Sequence, residues 1–207
     1  MTRTFVELLT ARAPMKRLVL AVGVFLTWQG SAIAQQCLDS MPPGGYLNPG
    51  TVTAPAPADR LAIMDVISHF FWSRDSKVST GLNDLFTTGI VYELCTGGGN
   101  KQVALLTGPD DVNEHLGDLT TFLNLLVLQT RHVASNTILN VKSANTVEGK
   151  TTVLVLLQNA YSELPVLDYT ATLKTEFTKG SDGNWRFSRI TVIGDTTALG
   201  ASGARGR

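Results

Sequence analysis

The sequence has little charge and no excess of either sign. Of its 207 residues, 16% are charged, with 17 Lys and Arg against 17 Asp and Glu, and no run of basic residues occurs. Proteins that bind nucleic acid or lie on anionic membranes carry basic patches. We therefore expect neither partner, and the 43% hydrophobic content favours one globular domain with a sizeable core.

Potential metal ligands are scarce as well. The two cysteines and three histidines are scattered, and no pair of them has the spacing of a metal site. The glycine-rich stretch 97–100 is not followed by the Lys-Ser or Lys-Thr of a phosphate-binding loop, so a hairpin turn explains it. We expect neither a metal nor a cofactor.

The N-terminal apolar run is too short to span a bilayer. It covers 11 residues, 18–28, whereas a transmembrane helix needs about 20. Two basic residues precede the run, and Ala32-Ile33-Ala34 follows it as a cleavage box. The pattern predicts a cleavable signal peptide over residues 1–34, with Met15 as its start. The mature domain would then be secreted or periplasmic, without stable membrane insertion. An uncleaved anchor is the alternative.

Both cysteines, Cys37 and Cys95, lie after the predicted cleavage point. Export would place them in an oxidising compartment, where disulfides form and persist. A Cys37–Cys95 bridge would close a loop of about 60 residues and stabilise the fold by roughly 4 kcal/mol in the chain-entropy model. Two free thiols are the alternative.

The order of predicted elements indicates an α+β fold. Residues 35–57 are a Pro/Gly-rich extended leader, 58–195 form the domain, and the Gly/Ala-rich stretch 196–207 is expected to be a disordered tail. Caps and periodicity predict three N-terminal helices and six strands. The helices are Arg60–Arg74, Ser79–Phe86 and Asp110–Leu123. The strands are Ile90–Leu94, Lys101–Leu106, Gln129–Val141, Thr146–Ser162, Val166–Thr178 and Trp185–Gly194. Helices followed by long strands predict a helical layer on a strongly curved, mostly antiparallel sheet.

Two polar residues stand out within this pattern. A helical wheel of the first helix gathers one stripe: Leu61, Met64, Ser68, Phe71, Trp72 and Asp75. Asp75 thus ends the helix on its predicted buried face, where a carboxylate needs a partner. Strand alternation places His132 between the small residues Thr130 and Ala134, with Asn136 and Ile138 on the same face and Leu139 on the other. The small neighbours leave room for a ligand beside the imidazole.

Four motifs in register resemble the SnoaL-like branch of the nuclear transport factor 2-like superfamily. They are Trp-Ser-Arg-Asp75-Ser-Lys with Leu82-Asn83-Asp84-Leu85-Phe86 after it, Ile-Val-Tyr92-Glu-Leu, Thr-Arg-His132-Val-Ala-Ser-Asn136, and Asp182-Gly-Asn-Trp185-Arg-Phe. The resemblance covers about Asp59 to Asp195. It implies a cone-shaped α+β barrel whose helices and curved sheet enclose an apolar pocket.

The resemblance also implies a chemistry, because the superfamily includes scytalone dehydratase, polyketide cyclases and ketosteroid isomerase. Similarity to scytalone dehydratase implies that Asp75, His132 and Tyr92 are catalytic. Asp75 would orient the imidazole as general acid or base, and Tyr92 would donate to a substrate carbonyl. The second catalytic histidine of that enzyme has no counterpart, since Leu157-Gln158-Asn159-Ala160 stands in its place.

Two functions stay open. The first is a lyase or isomerase that acts on a small hydrophobic carbonyl or hydroxy compound, with Phe71, Trp72 and Asn159 lining its pocket. The alternative is a non-catalytic module that binds a small ligand or forms a homodimer through its sheet, in which the Asp–His pair is a structural hydrogen bond. An open cavity beside the pair favours the first function, and a cavity filled by large side chains favours the second.

Overall fold

The computed structural model describes residues 37, 52–78, 81–97, 101–159 and 164–195. The helices of this part are α1 (Pro57–Ser76) and α2 (Pro109–Leu125). The strands are β1 (Phe86–Thr96), β2 (Lys101–Thr107), β3 (Leu128–Ser143), β4 (Thr146–Asn159), β5 (Val166–Lys179) and β6 (Trp185–Gly194). The predicted signal peptide, most of the predicted leader and the predicted tail lie outside the described residues.

The six strands form one sheet in the order β2-β1-β6-β5-β4-β3. Neighbouring strands run antiparallel except for β1 and β6, which are parallel. α1 packs on β3 and β6, while α2 contacts β1, β2 and β3. The prediction of an α+β fold with a mostly antiparallel sheet is therefore confirmed. Neither of the two described helices combines the length and apolar composition needed to cross a bilayer.

The prediction of three N-terminal helices is wrong, because the segment expected to form the second helix is not α-helical in its described part. Asn83–Leu85 make a single 3₁₀ turn, and β1 already begins at Phe86. Gly81 precedes this turn with φ of 89°, a left-handed conformation that interrupts a helix. Thr87 and Thr88 follow, and β-branched residues favour a strand.

The buried face of α1 matches the face predicted by the helical wheel only in part, at Phe71 and Asp75. Its buried residues are Ile63, Ile67, Phe70, Phe71 and Asp75. Leu61 and Trp72 are each 67% exposed, and Ser68 is exposed as well. The apolar side chains are spread around this helix rather than gathered on one face, so the wheel could not fix its rotation.

Strand β3 departs from simple alternation after His132. Between Ser135 and Ile138, β3 contains one residue more than the facing stretch of β4, which defines a β-bulge. Asn136 lies in this bulge with φ of 53°, a left-handed conformation that asparagine tolerates. The extra residue reverses the faces that follow, so Leu139 is buried in the core although it was predicted to face away from His132.

The cysteines form a disulfide rather than two free thiols. Cys37 is bonded to Cys95 of β1, with 6.4 Å between their Cα atoms and a sequence separation of 58. Both side chains are buried together with Ile193 of β6. The bond therefore ties Cys37, which precedes α1 in the chain, to β1, the second strand in the sheet order.

Reduction of this disulfide should lower the free energy of unfolding by about 4 kcal/mol, because the unfolded chain regains the entropy of a closed loop. Urea denaturation with and without dithiothreitol measures the difference. The double variant Cys37→Ser/Cys95→Ser should match the reduced protein and should not respond to dithiothreitol. Equal midpoints for the reduced and oxidised wild-type protein would contradict the stabilising role.

Candidate active site

Both helices and the sheet border a cavity of about 530 Å³. Fourteen of its twenty lining residues are apolar, and they come from α1, α2 and the strands β1 and β3–β6 with their flanking loops. The polar lining residues are Arg74, Tyr92, Thr130, His132, Asp168 and Tyr169. A mainly apolar cavity with a few converging polar groups is the usual form of a site for a small organic molecule.

The last turn of α1 places Asp75 against β3, where its carboxylate accepts three hydrogen bonds. His132 Nδ1 lies 2.6 Å from Asp75 Oδ1, and the backbone N–H of His132 donates to Oδ2 over 2.9 Å. The hydroxyl of Thr130 donates to Oδ1 over 3.1 Å. Asp75 is 6% exposed, so these three bonds satisfy a carboxylate that would otherwise be costly to bury.

The charge state of Asp75 follows from the balance of burial and hydrogen bonding. Burial alone would raise its pKa, but the bonds from the His132 ring, the His132 amide and the Thr130 hydroxyl outweigh it and hold the pKa below its ordinary value. An ionised carboxylate only accepts hydrogen bonds. His132 therefore carries its proton on Nδ1, which leaves Nε2 as the acceptor in the neutral ring.

The imidazole stands between the carboxylate and the cavity. Its ring stacks on Phe71 with 5.2 Å between centroids and 18° between planes, which fixes its orientation. His132 lines the cavity, whereas Asp75 lies behind it and is not a lining residue. Among the described residues, Nε2 has no hydrogen-bond partner. The arrangement therefore offers a ligand one ring nitrogen, backed by a buried negative charge.

Tyr92 contributes a second polar group to the cavity. Its side chain is 5% exposed and comes from the middle of β1. Burial raises the pKa of its hydroxyl, and the nearby Arg74 guanidinium opposes that shift without reversing it. Tyr92 is therefore a neutral phenol at physiological pH and can donate a hydrogen bond.

The cavity contains only part of the predicted lining. Phe71 lines it, as predicted. Trp72 does not, because it follows Phe71 on the helix and its side chain turns outward to solvent. Asn159 does not line it either. It is the last residue of β4 and shares the parity of Val153 and Val155, which line the cavity. Its partner on β3, Leu128, lines the cavity too, but Asn159 is not a lining residue.

Arg74 and Tyr169 are cavity residues that the sequence reasoning missed. Arg74 follows Phe70 and Phe71 at the i+4 and i+3 spacings that place helical residues on one face. Tyr169 alternates with Ala171 along β5, and burial raises its pKa to about 12. The helical spacing of Arg74 and the strand alternation of Tyr169 can both be read from the sequence. Using the first required the correct rotation of α1, and using the second required the correct inner face of β5.

Comparison with known families decides the assignment. The family profile described as a SnoaL-like domain matches residues 56–191. The chain belongs to the SnoaL-like family. A comparison with curated proteins found no match to this SnoaL-like chain.

Solved structures with the same fold as this SnoaL-like domain include Aln2 from a Streptomyces species. That structure superposes with a TM-score of 0.59 at 15% identity, over 69% of this chain and 95% of that chain. A candidate scytalone dehydratase from Novosphingobium aromaticivorans gives 0.53 at 18%, over 66% and 84%. A protein from Catenulispora acidiphila in complex with S-DNPA gives 0.54 at 16%, over 68% and 96%. At these identities the likeness establishes the fold alone.

Replacement Asp75→Asn should destabilise this SnoaL-like domain by about 1–3 kcal/mol at pH 7, because hydrogen bonds to a charged acceptor are lost. The pKa of Asp75 is lower in the folded than in the unfolded state. Its contribution is therefore complete above the unfolded pKa of about 3.8 and is lost as the pH falls through the folded pKa. Urea denaturation of both proteins from pH 7 to pH 3 should show the difference shrinking below pH 4.

The matched control for that series is Asp65→Asn, which removes an exposed carboxylate from the same helix. It should leave the free energy of unfolding within about 0.5 kcal/mol of wild type, the usual range for a surface change. A difference between wild type and Asp75→Asn that stays constant down to pH 3 would contradict the role assigned to this carboxylate.

Proposed function

We propose that this SnoaL-like domain is a lyase or isomerase that acts on a small hydrophobic carbonyl or hydroxy compound, with His132 as its general acid and base. One observation carries the proposal. Nδ1 of the imidazole is hydrogen-bonded to a buried carboxylate, and the same ring lines a mainly apolar cavity of about 530 Å³. Proton transfer needs a ring nitrogen beside the reacting atom and a charge that orients the ring from behind. His132 and Asp75 supply these two groups.

The proposed reaction begins with removal of a proton next to a carbonyl group. Nε2 of His132 takes the proton, and the electron pair of the broken C–H bond moves toward the carbonyl oxygen. Asp75 stabilises the imidazolium that forms, since its carboxylate lies 2.6 Å from Nδ1. The Tyr92 hydroxyl, which also lines the cavity, donates to the oxygen that gains charge.

The second step decides between isomerase and lyase. Return of the proton from His132 to another carbon of the conjugated system gives an isomer. Loss of a β-hydroxyl, with its C–O bond electrons and the His132 proton, releases water and leaves a double bond. Two solved structures with this fold support a small organic ligand for this chain. One is the candidate scytalone dehydratase, and the other is the protein in complex with S-DNPA.

A non-catalytic ligand-binding module is the second candidate. It is favoured by Leu157, an apolar residue that lines the cavity in the stretch where the resemblance to scytalone dehydratase expects a second catalytic histidine. If the domain were an enzyme, Asp75 and His132 would have to act without a second imidazole. A direct assay of proton transfer separates the two candidates.

Replacement His132→Ala should reduce proton exchange at the carbon next to the carbonyl by at least about 100-fold, because the general base is removed. Deuterium uptake from D₂O into a panel of small hydrophobic hydroxy-ketones, followed by NMR, measures this step without a known product. Ligand binding by calorimetry should persist in the variant. Tyr92→Phe should slow exchange while binding is retained.

The matched control is His69→Ala, which removes an exposed histidine from α1. This variant should exchange the panel at the wild-type rate. Equal exchange in wild type and His132→Ala would remove the catalytic role and leave the binding module as the function. No binding of any panel member would argue against both.

We also propose that the domain is exported and acts outside the cytoplasm. The signal-peptide pattern of residues 1–34 motivates this, and the Cys37–Cys95 disulfide supports it, because such bonds persist mainly in oxidising compartments.

Expression from Met15 in a Gram-negative host should yield a periplasmic chain that begins at Gln35, as measured by fractionation and intact-protein mass spectrometry. Ala34→Leu should block cleavage, because the cleavage box requires a small residue at this position. A full-length chain in the cytoplasm would contradict export, and a full-length chain in the membrane fraction would indicate an uncleaved anchor.

A further inference from the structure

Arg74 places a cation in the wall of a mainly apolar cavity, whose lining also includes the carboxyl group of Asp168. It precedes Asp75 in α1, but its side chain points toward α2, where Nη1 donates to the carbonyl of Leu116 over 2.8 Å. The same carbonyl accepts a bond from the Thr120 hydroxyl. One edge of the guanidinium is thus anchored, and the group borders the cavity.

The charge of Arg74 is not matched by an ion pair within the part of the chain that the structure describes. The carboxylate of the adjacent Asp75 acts on the pKa of Arg74, but it is hydrogen-bonded to His132. Arginine keeps its proton at neutral pH, although burial lowers the pKa of this guanidinium. A largely buried cation without a counter-ion is costly, so an anionic group on a ligand would relieve that cost.

The surroundings of Arg74 favour a carboxylate. A guanidinium presents several N–H donors in a planar fork, which matches two carboxylate oxygens, and only one donor position is taken by Leu116. The phenol hydroxyls of Tyr92 and Tyr169 belong to the same electrostatic neighbourhood and line the same cavity. Both are neutral donors, because burial raises their pKa values.

We propose that Arg74 is the specificity residue of this site and selects apolar ligands that carry a carboxylate. The inference rests on the proposed function and names its substrate class. The carboxylate would pair with the guanidinium and with a tyrosine hydroxyl, while the apolar body of the ligand fills the cavity toward Phe71 and His132. Ligand charge would then determine which compounds are held beside the imidazole.

The test compares two probes of equal size, 2-naphthoate and the neutral 2-naphthamide, by isothermal titration calorimetry at pH 7. Wild type should bind the acid at least about tenfold more tightly, the factor that corresponds to one charge-assisted hydrogen bond. Arg74→Met should reduce this ratio to about one by weakening the acid alone. Leu116 keeps its bond from Thr120 in this variant, and circular dichroism verifies the fold.

Two further variants make the result specific. Arg60→Met removes an exposed arginine from the same helix and should keep the wild-type ratio. Arg74→Lys keeps the charge and should restore part of the preference for the acid. A ratio near one in wild type, or an unchanged ratio in Arg74→Met, would overturn the inference.

The outcomes also separate this inference from the proposed function. Equal binding of acid and amide, together with deuterium exchange that depends on His132, would overturn the role of Arg74 and keep the acid–base chemistry. Failure of both probes to bind would overturn the proposal that the cavity takes apolar carboxylates. A preserved acid preference without any exchange would keep Arg74 as the recognition residue and remove only the catalysis.

Discussion

The carboxylate of Asp75 holds the site together because it joins the end of α1 to the edge strand β3 through three hydrogen bonds. β3 is the last strand in the sheet order, so alternate backbone groups along one of its edges have no strand partner. Asp75 accepts a hydrogen bond from one of those groups, the backbone N–H of His132, and a second bond from the imidazole of the same residue. Gln129 of the same strand donates to the Asp75 backbone carbonyl over 2.5 Å. The end of α1 thus acts as a partial substitute for a seventh strand.

Cavity polarity follows from the same contact. Since the carboxylate of Asp75 lies behind the imidazole, a ligand on this side of the cavity meets the ring of His132 rather than that carboxylate. The remaining wall is mostly apolar, which keeps the effective dielectric low and strengthens each polar contact inside. A few polar groups are therefore enough to define how a ligand lies.

The sequence predicted those parts of the fold and the site that depend on local pattern. β6 has the predicted bounds, because its apolar alternation begins directly after the turn that precedes it. The contact between Asp75 and His132 does not follow from local pattern. It was expected from the resemblance to scytalone dehydratase, and the structure places Nδ1 of His132 2.6 Å from Oδ1 of Asp75. The bulge at Asn136 and the rotation of α1 could not be predicted, because both depend on tertiary packing. One inserted residue or a turn of about 100° changes which side chains face inward.

Arg74 and Asp75 are consecutive residues with opposite charges, and their side chains contact different elements at one end of α1. Successive side chains of an α-helix diverge by about 100°, so Arg74 bonds to α2 and Asp75 bonds to β3. The last turn of α1 therefore carries both the cation and the orienting carboxylate of the site, and any change in its position alters both contacts.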